Sequence, residues 1–289
     1  MDLRRLRLFV AVAEHGGFTA AATAVHVAQP AVSLAVRELE QELGAPLFTR
    51  SRGGARLTAA GEALLGPARQ TLRDVENASD AVAAVTGLVR GHLDLACLPT
   101  LAADPVAELV GRFRREHPGV TVRLGAPLDG DELAAAVRSG TAEVGITEQG
   151  AANEGLEELA IGEQELFAVS PPTRPRASSS QALRLQQLEG MPLVLPPAGS
   201  LRETVDEALS AAGVRPDIGV ETAQRDALIP LALAGAGTTF LPDTLAQAAR
   251  RLGATVRPTR PRLRRTIVVV RRPGHPGPAA TRFLGLAAP

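Results

Sequence analysis

The sequence predicts a multidomain protein, with an α winged helix-turn-helix module and a linker helix preceding a larger α/β domain. An Ala-rich helical segment over residues 19–25 is followed, after a three-residue break, by a second helix from Gln29 to about Leu43. An apolar repeat at intervals of three and four residues then reaches about Val89, and after Gly91 short Val/Leu/Ile runs alternate with helical patterns. At 289 residues, the chain is long enough for two or three domains.

Composition narrows the function classes. The formal net charge is zero, so any basic surface must be local. The single cysteine, Cys97, excludes an internal disulfide framework and a multi-cysteine zinc site, and we interpret it as a buried structural thiol. We find no catalytic constellation and no metal-ligand spacing among the five histidines, so we expect no enzymatic activity, metal or cofactor. No secretory signal is recognisable and no window approaches the roughly 18 apolar residues of a membrane span, so we expect a soluble, cytoplasmic protein.

Two helices joined by a turn of three to four residues form the helix-turn-helix unit, whose second helix can lie in the DNA major groove. The core face of this second helix is predicted to carry Val32, Val36, Leu39 and Leu43. The predicted DNA-facing residues are Gln29, Pro30, Ser33, Leu34 and Arg37. Glutamine can pair with adenine, arginine with guanine or phosphate, and serine with either. Leu34 either meets thymine methyl groups or is an ordinary exposed leucine.

A basic segment, TRSRGGARLT, follows over residues 49–58, and Gly53-Gly54 can turn it into a hairpin. This hairpin is the predicted wing. Arg50 and Arg52 are either solvated loop residues or contacts to phosphate and the minor groove, and their place directly after a recognition helix favours the contacts. Thr58 is the predicted cap of the next helix.

Residues 1 to about 66 resemble the DNA-binding domain of LysR-type transcriptional regulators. The resemblance is carried by LRLFVAVAEHGGFTAAA, VAQPAVSLAVRELEQELGAPLF and RLTAAGEALL. It implies that the DNA contacts include Gln29, Pro30, Ser33, Arg50 and Arg52. Two positions depart from the family pattern. Ala28 stands where a capping Ser or Thr is usual, at a cost of about 1 kcal/mol of helix stability. Leu34 stands where a polar or basic residue is common.

The linker helix is predicted to run from Thr58 to about Val89. Its apolar repeat consists of Leu65, Ala68, Leu72, Val75, Ser79, Val82, Thr86 and Val89. This spacing favours a coiled-coil seam, and in the family such a helix makes the dimer. The alternative is a single amphipathic helix packed on its own domain. A dimer would place two recognition helices on half-sites about one helical turn apart, or a multiple of it.

The carboxy-terminal half alternates strands and helices, which favours parallel α/β sheets. It resembles the effector-binding domain of the same family through GHLDLACLPTLA, FRREHPGVTV, LAAAVRSGTAEVGI and LALAGAGTTFLP. The resemblance implies a periplasmic-binding-protein-like fold with two α/β lobes. We therefore predict a DNA-binding domain at 1–57, a linker helix at 58–89 and an effector domain at 90–289. Its lobes would span about 90–163 plus 264–289, and 164–263, with a last strand at 264–270 returning to the first lobe.

Ligands of α/β lobes bind beyond the carboxyl ends of the strands, where helix amino termini offer free N–H groups. This rule selects Thr100, Leu101, Leu128, Thr147 and Glu148 in the first lobe. In the second lobe it selects Ser200, Arg202, Gln224 and Arg225. Thr100, Ser200 and Arg202 would suit a carboxylate, so a small organic acid is the favoured effector. Against it, Glu148 would repel an anion, and Arg202 and Arg225 are alternatively solvated helix ends.

These patterns predict a homo-oligomeric transcriptional regulator whose DNA binding is modulated by an effector. The expected partners are an inverted-repeat DNA operator, a small-molecule effector and a second or further copy of the chain, with RNA polymerase as another candidate. Two alternatives stay open: a DNA-binding protein without a functional effector site, and a small-molecule-binding protein. Residues 250–289 contain ten arginines and no Asp or Glu. Three interpretations of this segment stay open: it extends the DNA-binding surface, it contacts an acidic surface in an oligomer, or it forms a solvated strand edge.

Overall fold

The computed structural model describes residues 1–51, 54–85, 91–172, 181–197 and 199–288. The amino-terminal elements are α1 (Leu3–His15), α2 (Phe18–Ala24), α3 (Gln29–Leu43), β1 (Phe48–Ser51), β2 (Gly54–Leu57) and α4 (Ala59–Val85). The predicted helix-turn-helix is confirmed as α2 and α3, with the break at residues 25–28. A core of buried side chains that includes Phe9, Val32 and Leu39 holds this module together. Leu43, predicted for the same core, is instead 43% exposed, because it lies in the last turn of α3.

Capping explains where α3 and α4 begin. Ala28 is the N-cap of α3; its backbone is extended, with φ −70° and ψ 136°, but its side chain makes no cap hydrogen bond. Pro30 lies in the first turn, where its missing N–H costs nothing. The predicted cap of α4 is confirmed, because the Thr58 hydroxyl oxygen accepts a hydrogen bond from the Gly61 N–H at 3.1 Å.

The two halves of the apolar repeat on α4 differ in burial. Ala68 is fully buried, and Leu65 and Leu72 pack beside it against the amino-terminal core. This half therefore follows the alternative of a helix packed on its own domain. Farther along, Val75 and Val82 are 37% and 71% exposed and remain accessible. The repeat positions at 86 and 89 lie outside the described residues.

The carboxy-terminal half contains seven helices and nine strands among the described residues. Its strands are β3 (Gly91–Cys97), β4 (Val120–Gly125), β5 (Val144–Glu148), β6 (Glu157–Ser170), β7 (Leu183–Arg184), β8 (Pro192–Leu195), β9 (Asp217–Glu221), β10 (Thr239–Pro242) and β11 (Thr255–Arg271). Its helices are α5 (Pro99–Leu101), α6 (Ala107–Glu116), α7 (Gly130–Arg138), α8 (Ser200–Ala211), α9 (Leu228–Leu233), α10 (Asp243–Arg251) and α11 (Pro278–Ala287). The α11 helix was not anticipated from the sequence.

The main sheet is mixed, which corrects the expectation of parallel sheets. Its strand order is β10-β6-β11-β5-β3-β4, with β7 beside β11, and β8 and β9 form a separate parallel pair. The neighbours of β3 run parallel to it, whereas β11 is antiparallel to both β5 and β6. The β11 strand is longer than the predicted strand at 264–270, because it passes from one lobe to the other, as β6 also does. The predicted return of the last strand to the first lobe is confirmed by the β11–β5 pairing.

The arginine-rich segment, residues 250–289, contains the whole of β11, which lies between β6 and β5 rather than at a sheet edge. Several of its arginines face carboxylates on the neighbouring strands. Arg262 pairs with Glu165 at 2.8 Å and Arg264 with Glu163 at 3.1 Å. These pairs are diagonal rather than directly opposite, since Arg264 lies across the ladder from Glu165. Opposite charges at diagonal positions are within reach of long side chains and stabilise the pairing of strands. This part of the segment is thus a component of the sheet.

Two further expectations concern burial and membranes. Cys97 is 1% exposed in the core of the first lobe, as predicted for a structural cysteine. Burial raises the pKa of its thiol to about 11, and buried structural thiols of this kind are unreactive. No single helix of the described chain is long and apolar enough to cross a membrane. Only α2 and α3 taken together reach that length and hydropathy, across a 113° bend.

We expect Ala28→Ser to stabilise the amino-terminal module by about 1 kcal/mol, because the N-cap backbone already has the extended geometry that lets a hydroxyl accept from the α3 amides. The free energy of unfolding, measured by urea denaturation, checks this. The same change at Ala35, inside α3, should be neutral or destabilising. Equal effects at the two positions would contradict a capping mechanism.

Candidate DNA-binding surface and effector crevice

The amino-terminal half of α3 presents both polar and apolar side chains to solvent. Gln29, Pro30, Leu34 and Arg37 are exposed, and they line a shallow depression together with Ser33. Ser33 is only 8% exposed, and its hydroxyl oxygen accepts a hydrogen bond from Gln29 Nε2 at 2.8 Å. The five residues selected from the sequence therefore share one surface.

The predicted hairpin after α3 is present, since β1 and β2 pair antiparallel. Arg50 lies opposite Ala55 in this ladder, whereas Arg52 lies outside the described residues. The Ala55 N–H donates to the Gly16 carbonyl at 3.0 Å, which fixes β2 against the end of α1. Gly54 has φ 116°, and a Cβ there would lie 2.4 Å from the Gly16 carbonyl oxygen. Glycine is required here because the two backbones approach so closely.

Glu40 connects the recognition helix to the wing, a role that sequence reasoning missed. Its carboxylate Oε1 accepts hydrogen bonds from the Leu47 N–H at 2.7 Å and the Phe48 N–H at 3.3 Å. These amides begin β1, so Glu40 sets where the wing starts relative to α3. Helical periodicity gave no signal for this contact, because the partner atoms belong to the backbone.

In the first lobe, the predicted effector residues differ in accessibility. Leu101 is fully buried in the hydrophobic core, and Thr147 is 2% exposed. Leu128 is 70% exposed, just before the amino terminus of α7. Thr100 and Glu148 lie close together, because both contact the same guanidinium group.

That guanidinium belongs to Arg265, a buried residue that sequence reasoning did not select. Its side chain is 2% exposed. It donates to Gln164 Oε1 at 2.8 Å and to the Thr100 hydroxyl at 3.2 Å, and it forms an ion pair with Glu148. Arg265 falls in the predicted last strand, and nothing in the sequence distinguishes it from the other arginines of residues 250–289. Its partners Thr100, Glu148 and Gln164 lie more than 100 residues earlier in the chain.

The second lobe contributes two arginines in different states. Arg202 donates to Asp206 at 2.6 Å, to Glu221 at 3.1 Å and to the Pro196 carbonyl at 3.1 Å. Although burial opposes its charge, these carboxylates raise the pKa of Arg202. Arg225 lies beside Gly199, which is itself close to the first lobe. A Cβ on Gly199 would lie 3.7 Å from Arg225 Nη2 and 3.8 Å from the Leu128 carbonyl oxygen.

The remaining two predicted positions in this lobe lie at element boundaries. Ser200 is the first residue of α8, after Gly199, whose φ is 93°. Gln224 is exposed and directly precedes the turn that contains Arg225, and its N–H donates to the Thr222 hydroxyl at 3.1 Å. Gln224 and Arg225 thus lie on one short loop.

Comparisons with known proteins give the family. Residues 3–62 match the model "Bacterial regulatory helix-turn-helix protein, lysR family", and residues 86–288 match "LysR substrate binding domain". The chain belongs to the LysR family. It is 33% identical over 259 residues to the HTH-type transcriptional regulator TfdS of Cupriavidus pinatubonensis, covering 86% of this chain and 85% of TfdS.

Solved LysR-family structures share the whole architecture. Full-length CbnR complexed with its target DNA is 28% identical, with a TM-score of 0.71 and coverage of 99% of each chain. A full-length variant of OxyR from Pseudomonas aeruginosa, at 24% identity, has the same fold with a TM-score of 0.80, covering 99% of this chain and 93% of OxyR. The chain is therefore a DNA-binding transcriptional regulator with an effector-binding domain, and not an enzyme.

Arginines and carboxylates of both lobes lie close enough in this effector domain to shift one another's pKa values. Burial lowers the pKa of Arg225, and the positive charge of Arg265 lowers it further. Burial raises the pKa of Glu203, and so do carboxylates that include Glu148 and Asp131. The charge of Arg265 in the first lobe thus acts on Arg225 in the second. The carboxylates of Glu148, Asp131 and Glu203 form an acidic group, here called the acidic rim.

We expect Glu40→Ala to destabilise the LysR-type DNA-binding module by roughly 1–3 kcal/mol, because it removes the acceptor of two partly buried backbone donors. Urea denaturation measures the loss. Glu40→Gln keeps an acceptor oxygen and should retain most of the stability. If both substitutions cost the same, the carboxylate charge rather than the two hydrogen bonds would be responsible.

Proposed function

We propose that α3 and the wing contact operator DNA directly. The proposed contacts are Gln29, Pro30, Ser33, Leu34, Arg37, Arg50 and Arg52. Support comes from the common exposed surface of the α3 residues and from the hairpin that starts at a position fixed by Glu40. In this arrangement, α3 lies in the major groove while the wing arginines contact phosphate or the minor groove.

We further propose that the protein is a homodimer or homotetramer that binds an inverted-repeat operator. Exposed Val75 and Val82 on α4 support this, because large apolar side chains on one helix favour pairing with a second helix. The proposed division is a DNA-binding domain at 1–57, a linker helix at 58–89 and an effector domain at 90–289. We place the protein in the cytoplasm, where a bacterial regulator meets its operator.

For the effector, we propose a small organic acid bound between the two lobes. The observation that carries this is the buried Arg265, a cation whose guanidinium lies beside the Thr100 hydroxyl and the Glu148 carboxylate. Its positive charge also lowers the pKa of Arg225 in the other lobe, and an anion between the two arginines would relieve that effect. The Thr100 hydroxyl, beside Arg265, is placed to donate to a carboxylate oxygen. Arg202 is already bound by two carboxylates, so we assign it to holding the loop before α8.

Glu148 sets the conditions for this binding. It is the counter-ion of Arg265, so an entering carboxylate competes with it. Asp129, which caps α7 by accepting from the Glu132 N–H at 2.8 Å, adds negative charge near the entrance. The effector must therefore use both oxygens of its carboxylate in hydrogen bonds or make additional apolar contact.

We expect Arg50→Ala and Arg52→Ala each to weaken binding to every DNA sequence and to lower the slope of log K against log salt by about one. Loss of one phosphate contact has this effect because one fewer counterion is released. Affinity titrations between low and physiological salt test this. Arg282→Ala, an exposed arginine on α11, is the matched control and should leave the slope unchanged. An unchanged slope for a wing variant would remove that arginine from the phosphate contacts.

We expect Arg225→Gln to weaken binding of the carboxylate effector by roughly 10- to 150-fold, the usual worth of a hydrogen bond to a charged group. Calorimetric titration of the full-length protein with a panel of small mono- and dicarboxylates and matched amines supplies the ligand and its affinity. Arg215→Gln, an exposed arginine in the same lobe, should bind normally. A panel in which amines bind and carboxylates do not would overturn the organic-acid proposal and leave the acidic rim as the recognition feature.

A further inference from the structure

Leu34 is an unusual residue for the surface of a DNA-reading helix. It is 56% exposed, more than any other leucine in the described part of α1 through β2. Leucine can neither donate nor accept a hydrogen bond, so it offers nothing to phosphates or to the polar base edges. Leu34 nevertheless lines the α3 depression and does not lie at a helix end.

The neighbours of Leu34 define a two-column surface. Pro30 lies one turn before it, at the i−4 position, and gives a continuous apolar strip on α3. The second column is the hydrogen-bonded pair of Gln29 and Ser33, also one turn apart. Arg37 closes the strip at its carboxyl end. A polar column and an apolar column therefore face the same groove side by side.

The major groove contains one matching apolar group. The C5 methyl of thymine is the only apolar substituent that the four bases present there, whereas the other edges carry donors or acceptors. Placing Leu34 over a polar base edge would remove water from groups that it cannot satisfy, and this disfavours guanine, adenine and cytosine at that position.

The polar column complements this assignment. Because Ser33 takes one amide hydrogen of Gln29, the Gln29 side chain keeps its carbonyl oxygen and one N–H for a base. One acceptor and one donor on the same amide match the N6 and N7 edge of adenine. The surface thus suits an A·T-containing half-site.

We propose that Leu34 is a specificity-determining residue that reads the C5 methyl group of a thymine in each operator half-site. This inference rests on the proposed placement of α3 in the major groove. It concerns only what Leu34 recognises there.

The test uses uracil, which differs from thymine only by the missing methyl group. The operator is first selected with the full-length protein from a random DNA pool, and each thymine of one half-site is then replaced singly by uracil. Dissociation constants are measured at fixed salt for the unmodified chain and for Leu34→Ala, Leu34→Met and Leu43→Ala. Leu43 is a leucine of the same helix, 43% exposed, and lies on the opposite side of α3 from Leu34.

We expect one uracil substitution to weaken binding of the unmodified chain by about fourfold, the worth of one buried methyl group. Leu34→Ala should bind the thymine and uracil operators equally, within roughly twofold. Leu34→Met, which conserves the apolar volume, and Leu43→Ala should both keep the preference for thymine.

Sequence-specific binding that is insensitive to every thymine-to-uracil change would overturn the role of Leu34 and leave the placement of α3 intact. A Leu34→Ala protein with the same uracil penalty as the unmodified chain would also overturn it, because another group would then contact the methyl. Failure to select any motif from the pool would instead contradict the placement of α3 itself.

Discussion

The antiparallel pairing of β6 with β11 is the constraint on which the carboxy-terminal half depends. The ladder runs from Thr255 opposite Ser170 to Arg271 opposite Glu157, with register shifts between Pro258 and Leu263 and between Ile267 and Val268. Both strands pass from one lobe to the other, so every relative movement of the lobes must bend this one ribbon. The irregular stretch between Pro258 and Leu263 interrupts the ladder where the strands change lobe, and a bulged ribbon bends there more readily than a regular one.

Arg265 connects this ribbon to the effector crevice. It lies on β11, it is buried, and its ion pair with Glu148 reaches the end of β5 in the first lobe. A buried arginine without such partners would be strongly destabilising, so Glu148, Gln164 and Thr100 are required for the fold as much as for recognition. In the proposed binding mode, these groups rearrange when an anion enters. That mode would couple effector binding to the contacts that hold the first lobe to the crossing strands.

The sequence predicted the amino-terminal module almost element by element, because helical periodicity, the break after α2 and the capping threonine are local signals. It failed where a residue's role depends on distant chain. The arginines of β11 looked like a solvated edge because their glutamate partners on β6 lie about 100 residues away. Glu40 was missed because it binds backbone amides, and Arg265 because only the crossing topology takes it to the crevice. The apolar repeat of α4 was recognised from the sequence. Periodicity does not distinguish a helix that packs on its own domain from one that packs on a partner.

Few residues separate Arg265 from the contacts between the effector domain and α4. Seven residues beyond Arg265, and about 23 Å along an extended strand, Arg272 donates hydrogen bonds to Gln70 of α4 and to the Val137 carbonyl. At the adjacent position of α4, Arg69 contacts Glu14 of α1 and Thr141 of the first lobe at 3.1 and 2.8 Å. The residue directly after the strand that contains Arg265 therefore contacts α4, the helix that follows the DNA-binding module. An effector can change DNA binding only by the difference in its affinity for two arrangements of such contacts, typically 1–3 kcal/mol. Breaking or forming a few interdomain hydrogen bonds changes the free energy by an amount of that size. A large apolar interface between α4 and the lobe would cost more to separate.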